Sequence, residues 1–108
     1  MTKRAKRVLV RFRAGPTWGS GPPEAQPDWD AHAAFVDALV ERGVLVMGGP
    51  FQDSTGAMLV LENVDEEEAR SLVEPDPFVL NGVFLLDDVR EWVVYVDELT
   101  AARGQLEA

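Results

Sequence analysis

Residues 29–50 have the sequence WDAHAAFVDALVERGVLVMGGP, and they predict a helix followed directly by a strand. Asp28 can cap this helix, and Gly43 can end it. Five apolar residues recur at helical spacing, namely Ala31, Ala34, Phe35, Ala38 and Leu39. This stripe predicts a helix with one face packed on a sheet.

Strands are predicted on both sides of this helix. Residues 6–13 alternate with the period-two pattern of a strand, with an apolar face made of Val8, Val10 and Phe12. Residues 44–47 and 57–62 predict the two strands of a hairpin, and both are apolar on both faces. The loop between them starts with the turn residues Gly48, Gly49 and Pro50.

A second helix and a short turn follow the hairpin. Asp65 begins the helix, because Glu68 stands three residues later as in a capping box. The helix ends at Pro75, and its apolar stripe is Ala69, Leu72 and Val73. Asp76–Pro77 fits the cap and first position of a further turn that closes at Gly82.

The last part of the chain completes the fold. Residues 83–86 and 89–96 predict one long strand with a bulge at Asp87–Asp88. The order βαββαβ predicts an α+β fold, a four-stranded antiparallel sheet with two helices on one face. We expect one domain over residues 1–108, with a core of about residues 7–96 and a polar tail over residues 97–108.

The predicted sheet has apolar residues on both faces, but the two helices cover only one of them. An antiparallel sheet of this kind normally exposes neither face. We therefore expect a homodimer in which sheet packs on sheet around a two-fold axis. The alternative is a monomer whose tail folds over its own sheet, and the polar composition of the tail disfavours it.

Composition narrows the possible partners. The chain has 108 residues with a formal net charge of −9, and an acidic surface repels phosphate, so neither nucleic acid nor a membrane is expected to bind. Most of the basic residues nevertheless lie at the start, namely Lys3, Arg4, Lys6, Arg7, Arg11 and Arg13. The absence of cysteine excludes disulfides and thiolate chemistry. The apolar run at residues 8–10 is too short for a signal peptide, which favours a cytoplasmic location.

Residues 14–28 form a long connection rich in Gly and Pro that includes Trp18. At about 15 residues it exceeds the usual length of a connection, which favours a lid or binding loop. A disordered surface excursion is the alternative. Its glycines lead into no immediate helix, so a phosphate-binding loop is not expected.

His32 is the only histidine, and histidine is the side chain that ordinarily changes charge near neutral pH. It lies at the edge of the predicted stripe beside Leu39, and Asp28 one turn earlier could steady its ring. A structural hydrogen bond is the more common role of such a histidine. Asp76 also has a structural explanation, since it can cap the turn at Pro77.

Three features together resemble the YCII-related family. They are the helix histidine His32, the Gly-Pro pair at residues 49–50 and the D-P-F motif at residues 76–78. The resemblance extends from Val8 to about Val96. The sequence departs from the common pattern in lacking an arginine just before the histidine, where residues 28–30 are Asp-Trp-Asp.

The resemblance implies a ferredoxin-like fold and a dimer of the α/β-barrel type. It also implies a pocket in which His32 and Asp76 form a catalytic dyad, with a shape set by Gly49, Pro50 and Phe78. The family includes a dehydrochlorinase of chlorinated hydroxyquinols, and related dimeric barrels include muconolactone isomerases.

Such a dyad needs no cofactor, because a neutral imidazole takes the proton while a carboxylate fixes its tautomer. If the Leu9 face of the first strand lines the pocket, Arg11 or Arg13 could hold a carboxylate or an enolate. Solvated arginines that offset nearby acids are the alternative. Trp18 and Trp29 could close over an aromatic substrate, although ordinary packing is the simpler role for Trp29.

Two functions from different classes follow. The first is a cofactor-free isomerase, or a lyase eliminating HX, that acts on a small hydroxylated, enolisable or aromatic compound. The second is a non-catalytic module for a small ligand or a regulatory partner, in which Asp76 only caps its turn. No metal site is expected, because Asp30 diverges by about 200° from Asp28 and His32 on a helix.

Overall fold

The structure, a computed structural model, describes residues 6–99. In chain order its elements are β1 (Lys6–Ala14), a 3-10 turn (Pro23–Ala25), α1 (Trp29–Glu41), β2 (Leu45–Pro50), β3 (Gly56–Glu62), α2 (Glu66–Val73), α3 (Pro77–Leu80) and β4 (Phe84–Val93). The strands pair antiparallel in the order β2-β3-β1-β4. The predicted α+β, ferredoxin-like fold is therefore confirmed.

The alternation of β1 builds the core, because β1 lies between β3 and β4. Its residues Val8, Val10 and Phe12 are buried together with apolar residues of the helices. Their partners on β3 are buried as well, in the pairs Val8 with Leu61, Val10 with Leu59 and Phe12 with Ala57. Removing such side chains from water stabilises the fold by about 25 cal/mol per Å² of apolar surface.

The buried face of α1 differs from the predicted stripe. His32 and Leu39 are buried, and Phe35 and Val36 between them are half-buried. The prediction is wrong for three alanines that are exposed, Ala31, Ala34 and Ala38. Larger apolar side chains remove more surface from water than alanine methyl groups, and they set the orientation of the helix. As a result, His32 lies on the buried face and not at its edge.

Both later helices begin as predicted. Asp65 accepts a hydrogen bond from Glu68 N at 2.8 Å, and the Glu68 carboxylate accepts one from Asp65 N at 3.4 Å, which completes the capping box. α3 has Pro77 at its start, and Asp76 accepts a hydrogen bond from Phe78 N at 2.9 Å.

The Gly-Gly-Pro segment belongs to β2 and not to the turn, which corrects the prediction. Residues 48–50 pair with β3, and the turn follows at residues 51–55. β2 is an edge strand, where a proline without an N–H group is tolerated. Gly48 lies so close to β3 that a Cβ there would stand 2.6 Å from Leu59 Cδ2.

β4 contains the predicted bulge. Its register against β1 shifts between Arg11 and Phe12, so that Asp87 has no direct partner on β1. Arg11 Nη2 lies 2.9 Å from the Asp87 carboxylate, and Arg13 Nε lies 3.4 Å from it. The strand ends at Val93, earlier than the predicted end at residue 96.

The sheet face that points away from the helices, here called the open face, carries ion pairs around an apolar centre. Arg7 lies 2.7 Å from Glu62 and 3.3 Å from Asp97. The apolar centre consists of Leu9, Met47, Val60 and Trp92. A cavity of about 310 Å³ lies between this face and residues 94–99, and Val46 and Met47 border it.

Residues 1–5 and 100–108 lie outside the described part of the chain. The basic residues Lys3 and Arg4 and most of the predicted polar tail belong to these segments. No helix within residues 6–99 combines the length and the apolar character that crossing a membrane requires.

Candidate active site

One buried pair of polar side chains connects α1 with α3. His32 lies near the start of α1, and Asp76 immediately precedes α3. His32 Nδ1 lies 2.8 Å from Asp76 Oδ1 and 3.0 Å from Oδ2. The exposed fraction is 9% for His32 and 2% for Asp76. An ionised carboxylate only accepts hydrogen bonds, so with Asp76 ionised the hydrogen of this contact belongs to Nδ1.

Aromatic rings fix the orientation of the imidazole. The Phe78 ring stacks on His32, with centroids 4.0 Å apart and an interplanar angle of 6°. Phe84 meets the imidazole edge-on, with centroids 5.5 Å apart. Because Asp76 also accepts the hydrogen bond from Phe78 N, the carboxylate is held from two sides. The pair is therefore rigidly placed in an apolar surrounding.

The second ring nitrogen of His32 remains available. Within residues 6–99, Nε2 has no hydrogen-bond partner, and no fully buried side-chain nitrogen or oxygen in that range lacks one. Nε2 therefore keeps contact with solvent. In a neutral ring protonated at Nδ1, the lone pair is on Nε2, which can accept a proton.

His32 and Asp76 border a cavity of about 550 Å³, here called the site cavity. It lies between α1, the β2–β3 half of the sheet and the loop before α1. Most of its wall is apolar or aromatic, and this part includes Phe12, Trp29, Val36, Leu45, Leu59 and Phe84. Ligand sites for small molecules typically have volumes of about 300–1,000 Å³ and such walls. The arrangement suits a small aromatic ligand beside a proton acceptor.

The loop over residues 15–28 closes one side of the site cavity with Pro23 and Glu24. Gln26 is buried and holds this loop together. Its Oε1 accepts a hydrogen bond from Gly19 N at 2.7 Å, and its Nε2 donates to Ser20 O at 3.1 Å and to Pro22 O at 3.0 Å. The loop is thus a folded wall of the site.

Trp18 also belongs to this loop. Its Nε1 donates to Gly21 O at 3.1 Å, and its ring lies against Phe84, with centroids 5.7 Å apart. Trp18 does not border the site cavity. Its contact is with Phe84, a residue of the cavity wall.

Asn81 ties the start of α1 to the end of α3. Its Nδ2 donates to Pro27 O and to Asp28 Oδ2, both at 3.0 Å, and its Oδ1 accepts a hydrogen bond from Val83 N at 3.0 Å. Asp28 stands at the predicted cap position of α1, but its side chain makes no capping bond to the helix. Its carbonyl accepts the hydrogen bond from His32 N at 2.9 Å.

Asp76, and not Asp28, is the carboxylate that meets the imidazole ring. The remaining residues predicted at the site differ in position. Gly49 and Pro50 border the site cavity. Phe78 lies behind His32, against the ring, and is not part of the cavity wall.

The structure does not bring Arg11 and Arg13 to the site cavity. They lie on the open face, where both contact Asp87. Two roles were weighed for these arginines, binding of a substrate anion and neutralisation of a nearby acid by a solvated side chain. Their surroundings fit the second role.

Sequence reasoning missed three residues that the structure places at or near the site, Glu24, Gln26 and Asn81. The first two lie in a loop without periodicity, which gives no sign of which side chains point inward. The signal for Asn81 is its position at the end of the predicted turn, next to Gly82, where a polar side chain can bond backbone groups.

Comparisons with known proteins point to one family. The YCII-related domain matches residues 10–93. The uncharacterized protein YjpA of Bacillus subtilis (strain 168) is 39% identical over 61 residues, which cover 56% of this chain and 71% of YjpA. A solved structure of the 5-chloro-2-hydroxyhydroquinone dehydrochlorinase TftG from Burkholderia phenoliruptrix AC1100, in complex with 2,5-dihydroxybenzoquinone, is similar with a TM-score of 0.58. The sequence identity is 26%, and the match covers 79% of this chain and 92% of TftG.

Proposed function

The chain belongs to the YCII-related family, and from this premise we propose that it is a small acid/base enzyme with His32 and Asp76 as its catalytic dyad. The reaction is an isomerisation or an elimination of HX. The substrate is a small hydroxylated, enolisable or aromatic compound. The observation that carries the proposal is the contact of 2.8 Å between His32 Nδ1 and Asp76 at the wall of the site cavity.

Proton transfer at Nε2 is the central step. His32 takes a proton from an O–H or C–H group of the substrate, and Asp76 stabilises the imidazolium that forms. In an elimination, the electron pair left behind forms a new double bond, and X departs as an anion with its own bonding pair. In an isomerisation, the same proton returns to another atom of the substrate. Asp76 stays anionic throughout, and no electron acceptor takes part.

The wall of the site cavity supports an aromatic substrate. Phe12, Trp29 and Phe84 offer ring surfaces, which bind planar molecules by offset or edge-on contacts. The similarity to TftG, which was solved with 2,5-dihydroxybenzoquinone, supports the same class of compound.

Replacing His32 tests the mechanism. Phenols, lactones and hydroxy acids are first screened for thermal stabilisation of the wild type, and those that bind are assayed for turnover. We expect His32→Ala to lower the turnover number by about 10²- to 10⁴-fold, the usual contribution of a general base. Circular dichroism serves as the control for folding. Undiminished turnover in a folded His32→Ala variant would contradict the mechanism.

A second function is a non-catalytic module that binds a small ligand or a regulatory partner. The observation in its favour is that Asp76 caps α3 through Phe78 N, which accounts for a carboxylate at this position without any chemistry. Asp76→Asn separates the two proposals, because the Asn side-chain oxygen can still cap the helix while the negative charge is lost. Turnover should fall steeply if the dyad is catalytic, whereas ligand binding without turnover in the wild type supports the module.

The partner that we propose is a second copy of the chain, packed on the open face. Met47 is 53% exposed and Trp92 is 48% exposed in the single subunit, although both lie on the face of the sheet that carries the buried Val60. A second sheet would remove these side chains from water. Residues 94–99 cover only part of this face.

Trp92→Glu tests this dimer, because a charge at a covered apolar position opposes association. Light scattering at micromolar concentration should give a dimer for the wild type and a monomer for Trp92→Glu. The matched control is Leu80→Glu on α3, where the replaced side chain is 74% exposed and lies outside the open face. A monomeric wild type would refute the dimer.

A further inference from the structure

In the part of the chain that the structure describes, the wall of the site cavity carries negative charge that no lysine or arginine offsets. Among its described lining residues there are two carboxylates, Asp76 and Glu24, and neither lysine nor arginine. Asp76 is occupied by His32 and by Phe78 N. Glu24 is exposed and has no hydrogen bond or ion pair within residues 6–99. Glu24 is therefore the carboxylate that a ligand meets unpaired.

The backbone that carries Glu24 is held on both sides. Pro23 before it is buried, and Gln26 after it is buried and makes three hydrogen bonds inside the loop. Glu24 itself lies in the 3-10 turn Pro23–Ala25. The backbone of Glu24 is thus fixed beside the site cavity, and its carboxylate stays within a side chain's length of that wall.

The arginines of β1 do not offset this charge. Arg11 and Arg13 lie on the opposite face of the sheet and contact Asp87. A carboxylate ligand in the site cavity would lose water and meet Glu24. Among the described lining residues, only His32 could offer it a positive charge, and His32 already bonds Asp76. A ligand with a hydroxyl group should bind favourably, because the hydroxyl can donate a hydrogen bond to Nε2 of His32 or to Glu24.

We propose that Glu24 is a specificity-determining residue, which makes the site cavity select uncharged hydroxylated aromatic compounds over carboxylates of the same shape. The inference deepens the proposed function and rests on it for the location of the site. Glu24 accepts a hydrogen bond from a ring hydroxyl and repels an anionic substituent. It does so from the loop wall, separately from the proton transfer at His32.

A matched pair of ligands tests the inference. 2,5-Dihydroxybenzamide and 2,5-dihydroxybenzoate have nearly the same shape and differ in charge at neutral pH. Their dissociation constants are measured by calorimetry for the wild type, Glu24→Gln, Glu24→Lys and the control Glu67→Gln. Glu67 is an exposed carboxylate on α2 that does not border the site cavity.

The wild type should prefer the amide over the benzoate. Glu24→Gln should narrow this preference by about three- to fivefold, the scale of one exposed charge interaction, and Glu24→Lys should reverse it. Glu67→Gln should leave it unchanged. Added salt should weaken the preference of the wild type and have little effect on Glu24→Gln, because it screens only charge interactions.

Two results overturn the inference. One is a preference for the amide that is as large in Glu24→Gln and Glu24→Lys as in the wild type, and the other is a wild type that binds neither compound or binds the benzoate better. Failure of the proposed function has a different signature, since it appears as unchanged turnover in His32→Ala, whatever the ratio of the two dissociation constants. The melting temperature without ligand shows that the Glu24 variants are folded.

Discussion

On the helix-covered face of the sheet, His32 and Asp76 form a polar pair among aromatic rings, with almost no exposed surface. On the open face, Arg11 and Arg13 reach Asp87 with side chains that are 51% and 65% exposed. Both faces thus place a carboxylate beside a nitrogen-bearing side chain. The covered pair is removed from water, and so is Arg7 beside Glu62 on the open face, whereas Arg11 and Arg13 stay exposed.

The difference in exposure decides how much each contact stabilises the subunit. An exposed ion pair is typically worth about 0–1 kcal/mol, because water screens it and both side chains lose freedom. A buried polar group left without a partner costs about 1–3 kcal/mol, and cavities in the packing around it add to that cost. Substitutions around the covered pair should therefore be costly, and those at the exposed ion pairs of Arg11 and Arg13 should be mild in a single subunit.

The largest effect is expected at Phe78, which is fully buried and stacks on His32. Phe78→Ala should lower the free energy of unfolding by about 3–5 kcal/mol, because it removes an aromatic side chain and leaves a cavity. Urea titration measures the change. Leu80→Ala on the same helix is the control, and its effect should be small because Leu80 is 74% exposed. Similar losses for the two variants would contradict the expected difference between a buried and an exposed position on this helix.

A smaller effect is expected at Asn81, whose side chain ties Pro27 and Asp28 to Val83. Asn81→Ala should cost about 1–2 kcal/mol of unfolding free energy, since part of the lost bonding is replaced by water. The histidine ring signals in nuclear magnetic resonance give a second measurement, and His32 is the only histidine of the chain. These signals should shift in Asn81→Ala and stay in place in the control Gln52→Ala, an exposed turn position. An unshifted signal in Asn81→Ala would show that Asn81 does not help to position His32.

The smallest effect is expected at Asp87, although it serves both Arg11 and Arg13. Asp87→Asn should change the free energy of unfolding by less than about 1 kcal/mol, because all three side chains retain contact with water. The difference from the wild type should shrink with added salt. A larger loss that salt does not affect would show that the open face is covered in solution, and it would support a second copy there.

Local signals in the sequence were sufficient for the elements that begin with a cap. The Asp65–Glu68 capping box and the Asp76–Pro77 start of α3 depend on residues only a few positions apart, and both form as predicted. The resemblance to the YCII-related family paired His32 with Asp76, and their direct contact in space depends on how α1 packs against α3. Local pattern alone assigned each of them a structural role.

The errors have a common physical cause: packing and strand pairing with distant parts of the chain override local preferences, and a local pattern does not include these contacts. The apolar stripe of α1 counted alanines as equals of Phe35 and Leu39, but the larger side chains decide which face is buried. Gly48 and Gly49 suggested a turn, yet pairing with β3 keeps them in an edge strand. The alternation in β1 assigns residues to two faces of the strand, but it does not indicate which face borders a cavity. Arg11 and Arg13 were therefore considered for the site although they lie on the other face.

Val46 and Met47 border both the site cavity and the cavity of the open face, so only the edge strand β2 separates the two spaces. A ligand in the site cavity and a second subunit on the open face would both contact Val46 and Met47. Association and ligand affinity are then thermodynamically linked. If a bound ligand changes the dimerisation constant by some factor, dimerisation changes the ligand's affinity by the same factor. Protein concentration itself would become a variable of every binding measurement made on this chain.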